Sequence, residues 1–179
     1  MPLFTIDSGD DSTVEEQLKS VEQIFNHHNF RVVFWPYRSK NSGNTISFKG
    51  LNGASSGDAM TLWGKAAQLF GGQMGYILPI VFAEYRGDVG MAGATWKMPL
   101  RGLIGSMIRE SRGGTPKHIC TVNTKVCVRG TTAHEIGHAA DLEHHDDPNN
   151  LMFSNGTKRK LFDLESDQLD KIKTARFAA

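Results

Sequence analysis

The sequence predicts an α+β fold in a single domain. Three observations lead there. The order helix, strand, helix, strands, helix, helix mixes both hydrophobic periodicities without strict alternation. The 179 residues are 39% apolar, with ten Phe and three Trp, enough for one core that is stable without staples. No internal repeat or domain linker divides residues 1–179.

Each element follows from local pattern. Residues 1–10 read as a leader, and residues 1–15 lack the charged-then-apolar pattern of a signal peptide, so a cytoplasmic protein or one exported by a signal-independent route is expected. Asp11-Ser12 offers a cap, with Glu15 completing a capping box. Val14, Leu18, Val21 and Phe25 then recur at helical spacing to about residue 28, where His27 and His28 sit at the negative end of the dipole. Arg31 to Trp35 is expected as a strand stopped by Pro36. Thr45 to Phe48 is a short strand candidate, and Leu51 to Gly57 is a Gly/Ser-rich connector.

A second helix is expected from Asp58 to Phe70, ended by Gly71-Gly72. Tyr76 to Tyr85 reads as a buried strand with Pro79 near its start. Leu103, Ile104, Met107 and Ile108 suggest a short helix, followed by a loop through Pro116. His118 to Val122 reads as a strand leading through Val126-Cys127-Val128 to a helix capped by Thr131 or Thr132. A last helix begins near Ser166 and turns Leu169, Ile172 and Ala175 inward.

Cys120 and Cys127 are too few for a disulfide scaffold. On one extended strand they lie roughly 23 Å apart and cannot bond. As partners across a hairpin with Asn123-Thr124 at its tip they would face each other. Free thiols and a bridge are both compatible with the sequence.

The chemistry concentrates in Thr132-Ala133-His134-Glu135-Ile136-Gly137-His138-Ala139-Ala140-Asp141-Leu142-Glu143-His144. His134 and His138, four residues apart on a helix, point within about 40° of each other. Two imidazoles so placed can hold one zinc ion, with Glu135 flanking the face where an attacking water would sit. His144 cannot share that face if the helix simply continues. The chain should therefore turn near Asp141 and bring His144 back to the metal. His145, one step further, reads as a solvated neighbour.

This pattern resembles the metzincin clan of zinc-dependent peptidases, whose signature is H-E-x-x-H-x-x-G-x-x-H followed by a methionine-containing turn. His134, Glu135, His138 and His144 match its positions, and Asp141 replaces the signature glycine. That glycine ends the helix at positive φ, a conformation Asp tolerates better than most residues. Asn150-Leu151-Met152-Phe153-Ser154 resembles the methionine turn, in which Met152 would pack beneath the zinc ligands. Ser154 stands where some branches carry a tyrosine ligand. Leu164 to Gln168 resembles the lead into the family's C-terminal helix. Gly90 to Trp96 loosely resembles the segment along the rim of the cleft, and reads equally well as a Gly-rich surface loop.

The resemblance implies one metzincin-like catalytic domain over residues 1–179: a mixed, twisted sheet with a zinc-binding helix behind it, a methionine turn and a C-terminal helix, with substrate along an edge strand. It implies one Zn2+ per chain held by His134, His138 and His144, Glu135 as general base, and internal cleavage of peptides or proteins. Zinc would polarise the scissile carbonyl and acidify water toward a pKa of about 7. Two alternatives are a gluzincin, with Glu165 as third ligand, and a non-hydrolytic zinc-binding or toxin-like module. The intact Glu135 argues against the second.

Lys158-Arg159-Lys160 could draw acidic substrate side chains into the pocket beyond the scissile bond, or be a solvated loop pointing outward. In a third version Leu161 and Phe162 line that pocket. The formal charge of +1 gives no electrostatic case for nucleic acid. No run of 18 apolar residues exists, so no membrane span is expected, and we expect a monomer.

Overall fold

A computed structural model describes residues 2–5, 11–37, 51–52, 60, 64, 78–83, 85–86, 90–97, 118–175 and 177. Among these are seven strands: β1 (Pro2–Thr5), β2 (Trp35–Tyr37), β3 (Leu51–Asn52), β4 (Ile80–Ala83), β5 (Tyr85–Arg86), β6 (Gly93–Lys97) and β7 (His118–Asn123). Three α-helices accompany them: α1 (Asp11–His27), α2 (Thr131–Ala139) and α3 (Ser166–Thr174). The main sheet is mixed and runs β2-β1-β4-β7-β6. Its first four strands are parallel, and β6 is antiparallel to β7 at the edge. β3 and β5 pair separately as a parallel ribbon.

Both faces of the central strands are covered: β4 is wholly apolar, and β7 buries His118, Thr121 and Asn123 along with its apolar residues. Every residue of β4 and β7 is buried, the signature of strands interior to a parallel sheet. Helix α1 lays Val14, Val21, Ile24 and Phe25 into the core shared with Ile80, Phe82, Cys120 and Val122. Helix α2 adds Ala133, Ile136 and Ala139 and packs against α1, β6 and β7. At about 25 cal/mol per Å² of apolar area, side chains the size of Phe82 or Phe25 each contribute roughly 2–3 kcal/mol.

Helix α1 ends at His27, and Asn29 takes the left-handed position beyond it at φ 62°. The Asn29 amide donates to the Asn26 carbonyl at 3.0 Å and the Phe30 amide to the Phe25 carbonyl at 2.9 Å. That pairing is a Schellman motif, closed by the edge-on contact of the Phe25 and Phe30 rings.

Several expectations need correction. Residues 1–10 are more than a leader, because β1 lies inside the sheet between β2 and β4. The strand expected over 31–35 pairs only from Trp35 onward, and Pro36 lies within it. Among the described residues β2 pairs on one flank only, and a strand whose other flank needs no ladder donor tolerates proline. Val32 and Phe34 pack against the core, and Arg31 and Val33 are exposed. The connector at 51–57 begins with β3, and the strand expected over 76–85 divides into β4 and β5. The strand candidate at 45–48, most of the helix at 58–70 and residues 98–117 lie outside the described residues.

The cysteine alternatives resolve to free thiols. Cys120 sits mid-strand opposite Ile80 and Thr95, so no hairpin sets it against Cys127. The capping expectation for α2 also fails. Its N-cap is Gly130 at φ 79°, and no side chain of its own caps it. Thr131 Oγ1 instead accepts from the Val128 amide at 3.0 Å. The helix is capped from a distance: Gln17 Oε1 on α1 accepts the Thr132 amide at 3.1 Å and the Thr132 hydroxyl at 2.9 Å. Gln17 Nε2 in turn donates to the Val128 carbonyl at 2.9 Å.

Gln17 is therefore the polar joint between the two helices, and its burial makes it costly to remove. Gln17→Ala leaves three partners unsatisfied and should lower stability by about 2 kcal/mol in urea or thermal unfolding. Glu22→Ala, on the exposed face of the same helix, should change it by less than about 0.5 kcal/mol.

Candidate metal centre

Helix α2 presents His134 and His138 one turn apart, and the turn that follows carries His144 back toward them. The Leu142 amide donates to the Gly137 carbonyl at 3.1 Å and the Asp141 amide to the His138 carbonyl at 3.0 Å. This is the same Schellman geometry as at the end of α1, with Asp141 in the left-handed position at φ 59°. The turn expected near Asp141 is present. The Asp141 carboxylate lies 3.4 Å from Lys97 Nζ and 3.7 Å from His118 Nε2, which ties the turn to the sheet edge.

The three imidazoles converge. His138 Nε2 lies 3.1 Å from His134 Nε2 and 3.2 Å from His144 Nε2. His134 Nδ1 faces the Leu151 carbonyl at 2.9 Å and His138 Nδ1 the Leu142 carbonyl at 2.8 Å. A carbonyl only accepts, so both Nδ1 atoms carry the proton and both Nε2 lone pairs point into the gap. Lone pairs held that close repel unless a cation lies between them. Bonds of about 2.0–2.1 Å at tetrahedral angles require Nε2 separations of roughly 3.3 Å, so the set fits zinc.

The local electrostatics favour the same ligand state. Burial pushes His134 down to about 3, opposed in part by its bond to the Leu151 carbonyl and helped by Arg159. Burial also lowers His138. Neutral imidazole is the form that binds a metal.

Glu135 faces the edge strand. Its Oε2 accepts from Thr95 Oγ1 at 2.7 Å, and a side chain at Gly93 would come within 2.7 Å of its Oε1. Burial raises this carboxyl to about 7, against the lowering effect of the Thr95 bond. Behind it lies a polar layer on β5 and β7. Tyr85 donates to Thr121 Oγ1 at 2.6 Å, and burial pushes both the Tyr85 hydroxyl and the Cys120 thiol upward.

The methionine segment forms a tight turn, with the Phe153 amide donating to the Asn150 carbonyl at 3.1 Å. Asn150 Oδ1 accepts the Met152 amide at 2.8 Å, and its Nδ2 donates to Gln168 Oε1 at 2.8 Å. Glu165 and Gln168 complete a capping box on α3. Met152 is wholly buried, and its sulfur lies so close to Gly137 that no side chain fits there. The turn thus packs against the histidine helix and supplies the Leu151 carbonyl that orients His134.

An open cleft of about 1020 Å³ passes over the histidines. The Gly90–Lys97 segment forms one wall, so the rim reading of that stretch describes its place better than a detached loop does. Of the basic loop, Arg159 reaches the cleft, while Lys158 and Lys160 are exposed and Leu161 and Phe162 do not line it. His145 is only partly solvated, since its Nε2 meets Glu165 at 3.3 Å. Glu165 is thereby engaged away from the histidine cluster, which comprises His134, His138 and His144. Sequence reasoning missed Thr95, Gln17 and the Leu151 carbonyl. Only Thr95 left a signal, as the hydroxyl in an otherwise small-residue stretch next to a candidate rim.

No protein-family model matches the chain, and no curated protein is similar to it. Among solved structures it is similar to metalloproteinase-II from Bacteroides fragilis, at 18% identity and a TM-score of 0.66. That match covers 96% of this chain and 50% of the other, so the chain spans half the length of that protein. It is also similar to a zinc-dependent peptidase from Methanocorpusculum labreanum (strain Z), at 11% identity and a TM-score of 0.55, covering 96% and 98% of the two chains. The fold is therefore one found in zinc-dependent peptidases.

Asp141 offers a direct probe of the turn. Asp141→Gly should be near neutral in thermal melting, because relief at positive φ offsets an exposed ion pair worth at most about 1 kcal/mol. Asp141→Val should cost about 1–2 kcal/mol or more and weaken zinc binding, since a β-branched residue resists that conformation. Equal zinc affinity in the two variants would show that His144 is placed by something other than this turn.

Proposed function

We propose that this chain is a zinc-dependent endopeptidase of the metzincin type, with residues 1–179 acting as one catalytic domain on peptide or protein substrates. The observation that carries the reading is the convergence of the His134, His138 and His144 Nε2 atoms beside Glu135 in an open cleft. The left-handed turn at Asp141 and the burial of Met152 against Gly137 support the metzincin assignment. Three imidazoles leave one position free, the ligand count of a catalytic zinc.

In this reading the histidines hold one Zn2+, whose chemistry is that of a Lewis acid that polarises a carbonyl and acidifies water. Glu135 accepts the proton of the attacking water and later delivers it to the leaving amine. Its surroundings suit both states. Thr95 Oγ1 lies 2.7 Å from Oε2 and 2.8 Å from the Glu135 carbonyl oxygen, and has one proton to give. An ionised Glu135 takes that proton as a hydrogen bond. A protonated Glu135 donates to Thr95 Oγ1, and the hydroxyl turns to the carbonyl oxygen. Burial near a pKa of about 7 keeps the carboxylate basic enough to work near neutrality. Among the described residues β6 pairs on one flank only, and an extended peptide could lie along the other.

Metal analysis should give one zinc per chain, lost on His144→Ala and retained on Glu165→Ala. Loss on Glu165→Ala with retention on His144→Ala would establish a gluzincin ligand set instead. Chelator should abolish cleavage of a peptide library, and zinc should restore it.

Glu135→Ala should keep its zinc and its fold yet lose about 10²–10⁴-fold in kcat/KM, the usual contribution of a general base. A protein that binds zinc but cleaves no peptide in either form would be the non-hydrolytic module.

A further inference from the structure

We propose that Thr95 is a positioning residue that locks Glu135 to edge strand β6, so that backbone pairing along the strand's open flank orients the general base and appears in kcat. The inference rests on the peptidase reading above and deepens it by naming what sets that site for turnover. Thr95 Oγ1 lies 2.7 Å from Glu135 Oε2 and 2.8 Å from the Glu135 carbonyl oxygen, so one hydroxyl spans the side chain and backbone of the same residue. Branching at Cβ keeps that hydroxyl within a narrow range of χ1. Cys120 Sγ, on β7, stands behind it at 3.5 Å and approaches the Glu135 carbonyl oxygen at 3.4 Å. Two residues earlier, Gly93 leaves the room the carboxylate needs, since a Cβ there would press on Glu135 Cγ, Cδ and Oε1.

The register of β6 decides where the backbone of Thr95 points. The Asn123 amide donates to the Ala92 carbonyl at 2.9 Å, which makes Ala92 and Asn123 a hydrogen-bonded pair. Such pairs alternate along an antiparallel ladder, so the next ones are Ala94 with Thr121 and Trp96 with Ile119. The N–H and C=O groups of Gly93, Thr95 and Lys97 therefore point away from β7, to the flank on which no strand lies among the described residues. The side chains at these positions face the histidine helix and its turn, where Thr95 meets Glu135 and Lys97 meets Asp141. Thr95 thus has its backbone on the open flank and its hydroxyl on the base.

An extended peptide on that flank would hold Thr95 through both its N–H and its C=O, whichever way the peptide runs. Pairing restrains the strand, and the bond from Thr95 Oγ1 passes the restraint to the Glu135 carboxylate. Binding energy gained away from the reacting bond is then used to orient a reacting group, which raises kcat and does not merely lower KM.

The test takes a peptide cleaved by the zinc-loaded full chain and shortens it residue by residue from either end. In wild type the longest peptides should exceed the shortest by roughly tenfold in kcat, the worth of one hydrogen bond to a charged group. Thr95→Val keeps the volume of the side chain and removes the hydroxyl. It should retain its zinc and its KM, lose that gain, and show a kcat nearly independent of length. Thr95→Ser should restore most of the gain. A role in packing alone would reverse that order, because Val preserves the volume that Ser lacks. A length effect confined to KM in wild type, a kcat gain that survives in Thr95→Val, or a Ser variant that behaves like Val would overturn the proposal. NMR relaxation of the Glu135 side chain in the same proteins gives a second readout without turnover. It should report one ordered conformation in wild type and Thr95→Ser, and several in Thr95→Val. Absence of cleavage with every peptide would overturn the peptidase reading and the kcat gain with it. Equal order of Glu135 in all three proteins would overturn the Thr95 lock itself, so the two failures are distinct.

Discussion

Everything about the site depends on two backbone carbonyls. Leu151 and Leu142 fix the Nδ1 protons of His134 and His138 and so aim the Nε2 lone pairs into one gap. Ring orientation is the soft variable of a histidine site, because the terminal torsion of histidine is broad. A hydrogen bond to Nδ1 removes that freedom and settles the tautomer. Each carbonyl belongs to a turn, so the turns carry the precision and the helix supplies only the spacing. The remaining contacts hold those turns in place: Asn150 to Gln168 on α3, Asp141 to Lys97 on β6, and Met152 against Gly137 on α2.

The same reasoning explains small residues where bulk would ordinarily be gained. Gly137 lies mid-helix, at a cost of about 1 kcal/mol in propensity relative to Ala, because the Met152 sulfur occupies the space of a side chain. Gly93 begins the edge strand where any Cβ would press on the Glu135 carboxylate. Both positions exchange local stability for close approach of functional groups, a recurrent feature of sites assembled from distant segments.

What the sequence made legible was the local geometry. An i, i+4 histidine pair fixes its own angle, and Asp at a helix end announces a left-handed turn, so the histidine cluster and its reversal could be read from thirteen residues. The helices α1 and α3 were equally clear, since their apolar spacing is local. The parallel pairing of β1 was not legible, because register between distant strands is decided by packing and not by either strand's composition. Pro36 misled for the same reason: whether proline ends a strand depends on whether that strand is an edge. Thr132 looked like a cap, but Gln17 reached across from another helix and took the role. Arg159 was hidden in a run of three cations, where the natural expectation is a solvated face, and only the path of the chain after Met152 separates it from its neighbours.

The distribution of burial around the histidines argues for chemistry over structural support. His134 is buried, His138 is partly buried and His144 is exposed, so the cluster is closed on the helix side and open on the cleft side. A structural zinc site gains nothing from such asymmetry, since a fourth protein ligand would complete it and shield it from water. Beside the cluster lies Glu135, a buried carboxylate whose desolvation is unfavourable and whose side-chain hydrogen-bond partner among the described residues is the Thr95 hydroxyl. This buried acid is held against the small-residue wall of β6, next to the histidine cluster. It is intelligible if the group must exchange a proton with something that enters from the cleft, and that constraint also accounts for the narrow spacing of β6 against α2.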